Sequence, residues 1–127
     1  PLREIASGGE LSRVMLALTG ASGARGATIV FDEVDAGIGG QTARAVGARL
    51  RELADGRQVI CITHLPQIAS LAARHFSIVK DARADPATTT VSELSDGAVV
   101  SELVRMLGAD EADAAARRHA EELLRAA

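Results

Sequence analysis

With 127 residues, 47% of them apolar and 24% charged, the chain suits one globular domain and not a disordered segment. Its two aromatics, Phe31 and Phe76, exclude nucleic-acid binding by aromatic stacking. No apolar run approaches the roughly 20 residues that span a bilayer. The net charge of −3 is uneven: residues 1–80 hold nine Arg/Lys against seven Asp/Glu, and residues 81–127 hold five against ten. Neither part carries a dense basic stripe of the kind that marks a DNA-binding face. The opening Pro-Leu-Arg-Glu-Ile lacks the regions of a signal peptide and an initiator Met, as an excised piece would. The single cysteine, Cys61 in Val-Ile-Cys-Ile, excludes an internal disulfide or a cysteine zinc site. It reads as a small core residue in a chain suited to the reducing cytoplasm.

In chain order, the first predicted helix is Leu11–Leu18, followed by a glycine-rich loop through Gly26. Thr28–Phe31 reads as a strand and Glu33–Gly40 as a glycine-rich loop. Gln41–Ala54 reads as a helix, with Ala43, Val46, Leu50 and Leu53 near helical spacing. Gln58–Thr63 is the next strand. A strand, a crossover helix and a strand predict a parallel pair, and apolar runs without alternation predict cover on both faces. A short helix over Gln67–Ala73 follows. Phe76–Lys80 and Thr88–Leu94 then form an antiparallel hairpin at the sheet edge, around a polar loop containing Pro86. Helices near Val99–Leu107 and Glu111–Ala126 close the chain. The expectation is a single α/β unit over residues 1–127, a mostly parallel sheet with an antiparallel edge hairpin and flanking helices.

Three stretches carry chemistry. Asp32 and Glu33 end an apolar strand, at the sheet end where open α/β folds bind ligands. One carboxylate can serve a Mg²⁺ shell and its neighbour can orient or deprotonate a water; the plainer alternative is a polar turn. Ser7-Gly8-Gly9-Glu10 opens a helix. Ser and Glu three apart form a capping box, while two glycines at a helix N-terminus also admit an anion. His64 closes the second parallel strand at the same sheet edge as the acids, where an imidazole can contact a terminal phosphate or help position water. His75 and His119 read as structural or surface groups, and Met15 and Met106 as core.

Ser-Gly-Gly-Glu-Leu-Ser-Arg, then Ile-Val-Phe-Asp-Glu-Val-Asp-Ala-Gly-Ile-Gly-Gly, then Ile-Cys-Ile-Thr-His-Leu-Pro-Gln-Ile-Ala resemble, in this order, the ATPase head of the ABC/SMC superfamily. The wording is most similar to the RecN family of bacterial DNA-repair proteins, in their carboxyl-terminal head segment. The resemblance covers nearly the whole chain. It implies that Ser7, Gly8, Gly9 and Glu10 are a signature motif touching the γ-phosphate of ATP held by the opposite head. It implies that Asp32 is the Walker B aspartate holding Mg²⁺ through water. Glu33 matches the catalytic glutamate that polarises the attacking water, and His64 the switch histidine. Val34–Gly39 occupies the D-loop region, with Asp35, Gly37 and Gly39. Many relatives carry Asp six residues after the glutamate, whereas this chain has Gly39, so that aspartate's role is not transferred.

A P-loop needs Gly-x-x-x-x-Gly-Lys-Ser/Thr, and the sole lysine, Lys80, lies in Ser-Ile-Val-Lys-Asp. The phosphate-cradling loop is therefore expected from an amino-terminal lobe. The implied assembly is that lobe, Mg²⁺ and ATP, a second head in a homodimer, and DNA reached through the full-length protein in the cytoplasm, at the nucleoid. An ABC transporter ATPase, another SMC-like head, and a non-catalytic docking lobe remain as alternatives.

Overall fold

Helix α1 (Gly8–Ala21) begins where the Ser-x-x-Glu pattern puts it. The Ser7 amide donates to Glu10 Oε2 at 2.8 Å, the Ser7 hydroxyl donates to the same oxygen at 3.0 Å, and the Glu10 amide donates to Ser7 Oγ at 3.4 Å. This is the reciprocal capping box, and the Ser7 backbone and side-chain donors hold the Glu10 carboxyl below its ordinary range. The structure, a computed structural model, describes residues 7–21, 26–81 and 86–127. Most of the expected glycine-rich loop before Gly26, and most of the polar loop before Pro86, lie outside the described residues. The chain divides into two units, Pro1–Leu71 and Ala72–Ala127.

In the first unit, β1 (Thr28–Phe31) and β2 (Gln58–Cys61) pair in parallel, from Thr28 opposite Gln58 to Phe31 opposite Cys61. Helix α2 (Gly40–Leu53) makes the crossover, and α3 (Pro66–Ala69) is a single turn. Leu16, Phe31, Val34, Ala43, Leu50, Leu53 and Ile68 form the buried core, so the helical spacing expected of α2 does face inward. Gly47 lets α2 approach α3 closely: a Cβ there would meet Leu71 Cδ1 at 2.6 Å and Ile68 Cα at 3.3 Å.

Two expectations are corrected. The strands were expected to be covered on both faces, but Val30 and Ile60 remain 59% and 45% exposed. α2 and the turn residues cover only the face that carries Phe31. Met15, expected in the core, is 55% exposed and shares a bare apolar stripe of α1 with Leu11, Val14 and Leu18. Leu16 is the α1 residue that enters the core cluster. Helical spacing marks an apolar face without saying what covers it.

In the second unit, β3 (His75–Asp81) and β4 (Thr88–Leu94) form an antiparallel two-stranded sheet, from His75 opposite Leu94 to Asp81 opposite Thr88. Arg74 clamps Glu93 with two bonds of 2.7 and 2.8 Å. Helices α4 (Asp96–Met106) and α5 (Ala114–Arg125) pack together, with Val99, Leu103, Val104 and Ala120 buried. α5 starts three residues later than its sequence suggests because Asp113 is the cap, accepting from the amides of Ala115 and Ala116. Among the described residues no helix is long and apolar enough to cross a membrane.

Candidate functional site

The two parallel strands stop at the same level. Phe31 lies opposite Cys61, and the Ile62 amide donates to the Phe31 carbonyl at 2.9 Å. Asp32–Glu33 and Thr63–His64 therefore leave the sheet side by side, at its carboxyl end. Asp32 and Glu33 are exposed, yet their backbone is anchored on both sides by buried Phe31 and Val34. The chain reverses at once: Glu33 has φ +56, and the Ala36 amide donates to its carbonyl at 3.0 Å. A left-handed glutamate costs on the order of 1–3 kcal/mol, and such strain concentrates at functional sites. The turn ends at Gly39, the N-cap of α2, which caps with no side chain. Glycine there costs only a few tenths of a kcal/mol relative to Asp.

Helix α1 is stapled to this turn. The Ser12 hydroxyl donates to the Asp32 carbonyl at 2.9 Å, and Arg13 Nη1 donates to the carbonyls of Val34 and Ala36 at 3.1 and 2.9 Å. Gly9 is buried against the turn. A Cβ on Gly9 would meet Ala36 Cβ at 2.8 Å and the Glu33 carbonyl at 2.9 Å, whereas a Cβ on Gly8 would meet Glu33 Oε2 at 2.5 Å. The glycine pair and the acidic pair are thus one packed cluster. Arg13→Ala is expected to lower the unfolding free energy by about 1.5–3 kcal/mol, the scale of a charged hydrogen-bond donor. A urea titration checks it.

The same turn is tied to the second strand end. Asp35 is only 3% exposed, and its Oδ2 accepts from the Thr63 hydroxyl at 2.5 Å and from the His64 amide at 2.9 Å. His64 Nδ1 lies 3.1 Å from that oxygen, on a ring whose side chain is 73% exposed. Burial pushes the Asp35 carboxyl up, but the Thr63 and His64 donors outweigh it and hold the group below its ordinary value. Thr63 Oγ1 in turn accepts from the Leu65 amide at 3.0 Å, shaping the entry to α3. Cys61, half-buried beside this cluster, is pushed up to about 12 by burial and by the charges of Asp35 and Asp32. It is un-ionised and chemically quiet.

The expected residues Ser7, Gly8, Gly9, Glu10, Asp32, Glu33, Asp35 and His64 all belong to the first unit. Gly37, with φ +73, closes the turn. Sequence reasoning missed Ser12, Arg13 and Thr63, and it gave Asp35 no task beyond loop membership. The available signal was register. With Phe31 opposite Cys61, an acid four residues after the first and a hydroxyl two residues after the second fall within reach. Among the described residues no group of three metal-binding side chains occurs. A magnesium ion at Asp32 would draw on that carboxylate, with waters and substrate phosphates completing its shell, as that ion is commonly held.

No protein-family model matches the chain. Among curated proteins, DNA repair protein RecN of Mycobacterium leprae (strain TN) is 52% identical over 130 residues, covering 100% of this chain. DNA repair protein RecN of Treponema pallidum (strain Nichols) is 47% identical over 128 residues, covering 99%. The chain is RecN-like throughout. It spans 22% of the length of each of these relatives. A solved structure from work on ATP-driven dimerization and DNA-stimulated activation of SMC ATPases superposes with a TM-score of 0.53 at 23% identity, over 72% of this chain and 56% of its own. That likeness shows the fold alone: the RecN-like chain shares the α/β arrangement of part of that structure.

Proposed function

We propose that residues 1–127 form the carboxyl-terminal lobe of a RecN-like ATPase head acting in DNA double-strand-break repair and recombination. The observation that carries this reading is the single cluster made by the glycine pair of α1, the Asp32–Glu33 turn and the His64 strand end. In a complete head, an amino-terminal lobe supplies the P-loop, and ATP lies between two paired heads. Glu33 aligns the attacking water, Asp32 supports the metal shell, and His64 faces the terminal phosphate. Ser7 and the α1 N-terminus face the nucleotide held by the second head, with amides and dipole favouring its negative charge. Bound Mg²⁺ neutralises charge on the phosphates. Catalysis then comes from positioning and preorganised electrostatics. The bare apolar stripe of α1 (Leu11, Val14, Met15, Leu18) and the open strand face (Val30, Ile60) supply surface of the kind that marks a protein partner. The amino-terminal lobe is the partner proposed for it. DNA is reached through the full-length protein, in the cytoplasm at the nucleoid.

Turnover measured on this chain alone and mixed with the P-loop lobe tests the reading. No turnover is expected alone, and Mg-dependent ATP hydrolysis is expected once the lobe is added. Robust hydrolysis by the chain alone overturns it.

A further inference from the structure

The structure assigns Asp35 as the positioning residue for His64: its buried carboxylate holds the imidazole through Nδ1, leaving Nε2 as the nitrogen available to a ligand. This rests on the reading of His64 as a group that faces the nucleotide.

Two hydrogen bonds converge on Asp35 Oδ2, from the Thr63 hydroxyl and the His64 amide, and His64 Nδ1 lies 3.1 Å from the same oxygen. The first two would be enough to latch the turn to the strand end, and a latch alone would leave the ring free to rotate. The third contact is different in kind. It reaches an otherwise exposed side chain, and it brings a carboxylate to the ring nitrogen nearer the backbone. The nitrogen that carries the proton in a histidine is set by the bond its other nitrogen makes. A carboxylate at Nδ1 selects the Nδ1–H form, fixes the ring plane and keeps Nε2 outermost, as outer carboxylates do for metal-bound histidines. Because the charge is buried, it is little screened by solvent. Asp35 also sits in the turn that α1 staples through Arg13. A shift of the signature helix therefore reaches His64 along bonded contacts, from Arg13 to the turn carbonyls and from Asp35 to the His64 amide.

The test uses the complete protein with histidine rings labelled with ¹⁵N, the His64 signal being assigned by its loss in His64→Gln. Wild type is expected to show the Nδ1–H tautomer at His64. Asp35→Asn keeps the shape and an acceptor oxygen but removes the charge, and it is expected to shift the ring toward Nε2–H. ATP turnover in Asp35→Asn should fall roughly 10–100-fold, the scale seen when an orienting partner is lost, with little change in half-saturating ATP. In a His64→Ala background, Asp35→Asn should add nothing further. An Nε2–H ring in wild type, an unchanged tautomer in Asp35→Asn, or fully additive losses overturns the assignment. Normal turnover in His64→Ala would sink the nucleotide-facing role of His64, while the tautomer signal still decides whether Asp35 holds the ring. The wild-type signal stands even if Asp35→Asn fails to fold.

Discussion

Glu33→Gln in the complete protein is expected to bind ATP and pair its heads while losing turnover by about 10²–10⁴-fold, the range supplied by a positioned acid–base group. The change is nearly isosteric and falls on an exposed side chain, so the fold has little reason to respond. The left-handed backbone at this position is a cost that glutamate and glutamine bear alike. What is lost is the charge proposed to polarise and orient the water. The side chain also lies against Gly8, the second residue of the Ser-Gly-Gly-Glu run. A neutral amide there removes a negative charge from beside the α1 N-terminus, where a phosphate is proposed to arrive. Head pairing should therefore be retained or strengthened. Light scattering with and without ATP, alongside a phosphate-release assay, separates the two effects. Hydrolysis at the wild-type rate would sink the role of Glu33.

Gly9→Ala should destabilise the first unit and depress turnover, whereas Gly8→Ala should depress turnover alone. The two glycines are adjacent, yet they face different neighbours. A methyl on Gly9 meets Ala36 Cβ at 2.8 Å and the carbonyls of Glu33 and Ala36 at 2.9 and 3.0 Å. Backbone atoms anchored by buried Val34 cannot swing aside. Overpacking of this kind costs about 1–3 kcal/mol, which offsets or exceeds the gain of up to about 1 kcal/mol from placing alanine in a helix. The strain would be relieved by lifting the Glu33 peptide, and the carboxylate moves with it. A methyl on Gly8 meets only the far end of the Glu33 side chain, at 2.5 Å. That group rotates away cheaply, so stability should stay within about 0.5 kcal/mol, but the carboxylate leaves its place. Thermal melts paired with turnover assays read both. A Gly9→Ala protein as stable and active as wild type would refute the packing of α1 on the turn.

Much of this architecture was legible in the chain because it rests on local rules. The Ser7–Glu10 capping box, the parallel pair with its α2 crossover, the Thr88–Leu94 strand and the buried stripe Ala43–Leu50–Leu53 each follow from short-range patterning. The ends of elements were less legible. β2 stops at Cys61 and not at Thr63, because Thr63 turns its hydroxyl to Asp35 instead of continuing the ladder. α1 starts at Gly8, ahead of its apolar residues, since the cap decides the start.

Asp32 and Glu33 at a strand end, the glycine pair at a helix start and His64 after the second strand were determined by the sequence itself, since each depends only on which residue follows a local element. The tertiary structure decided what joins them. Arg13 reaching two turn carbonyls, Gly9 admitting the turn, and Asp35 gathering Thr63 and His64 connect positions 21 to 29 residues apart. Such contacts arise only when parallel strands stop in register and a helix start packs across their ends. That register is a property of the assembled core, set by burial of Phe31 and Val34, and no short window of the chain encodes it.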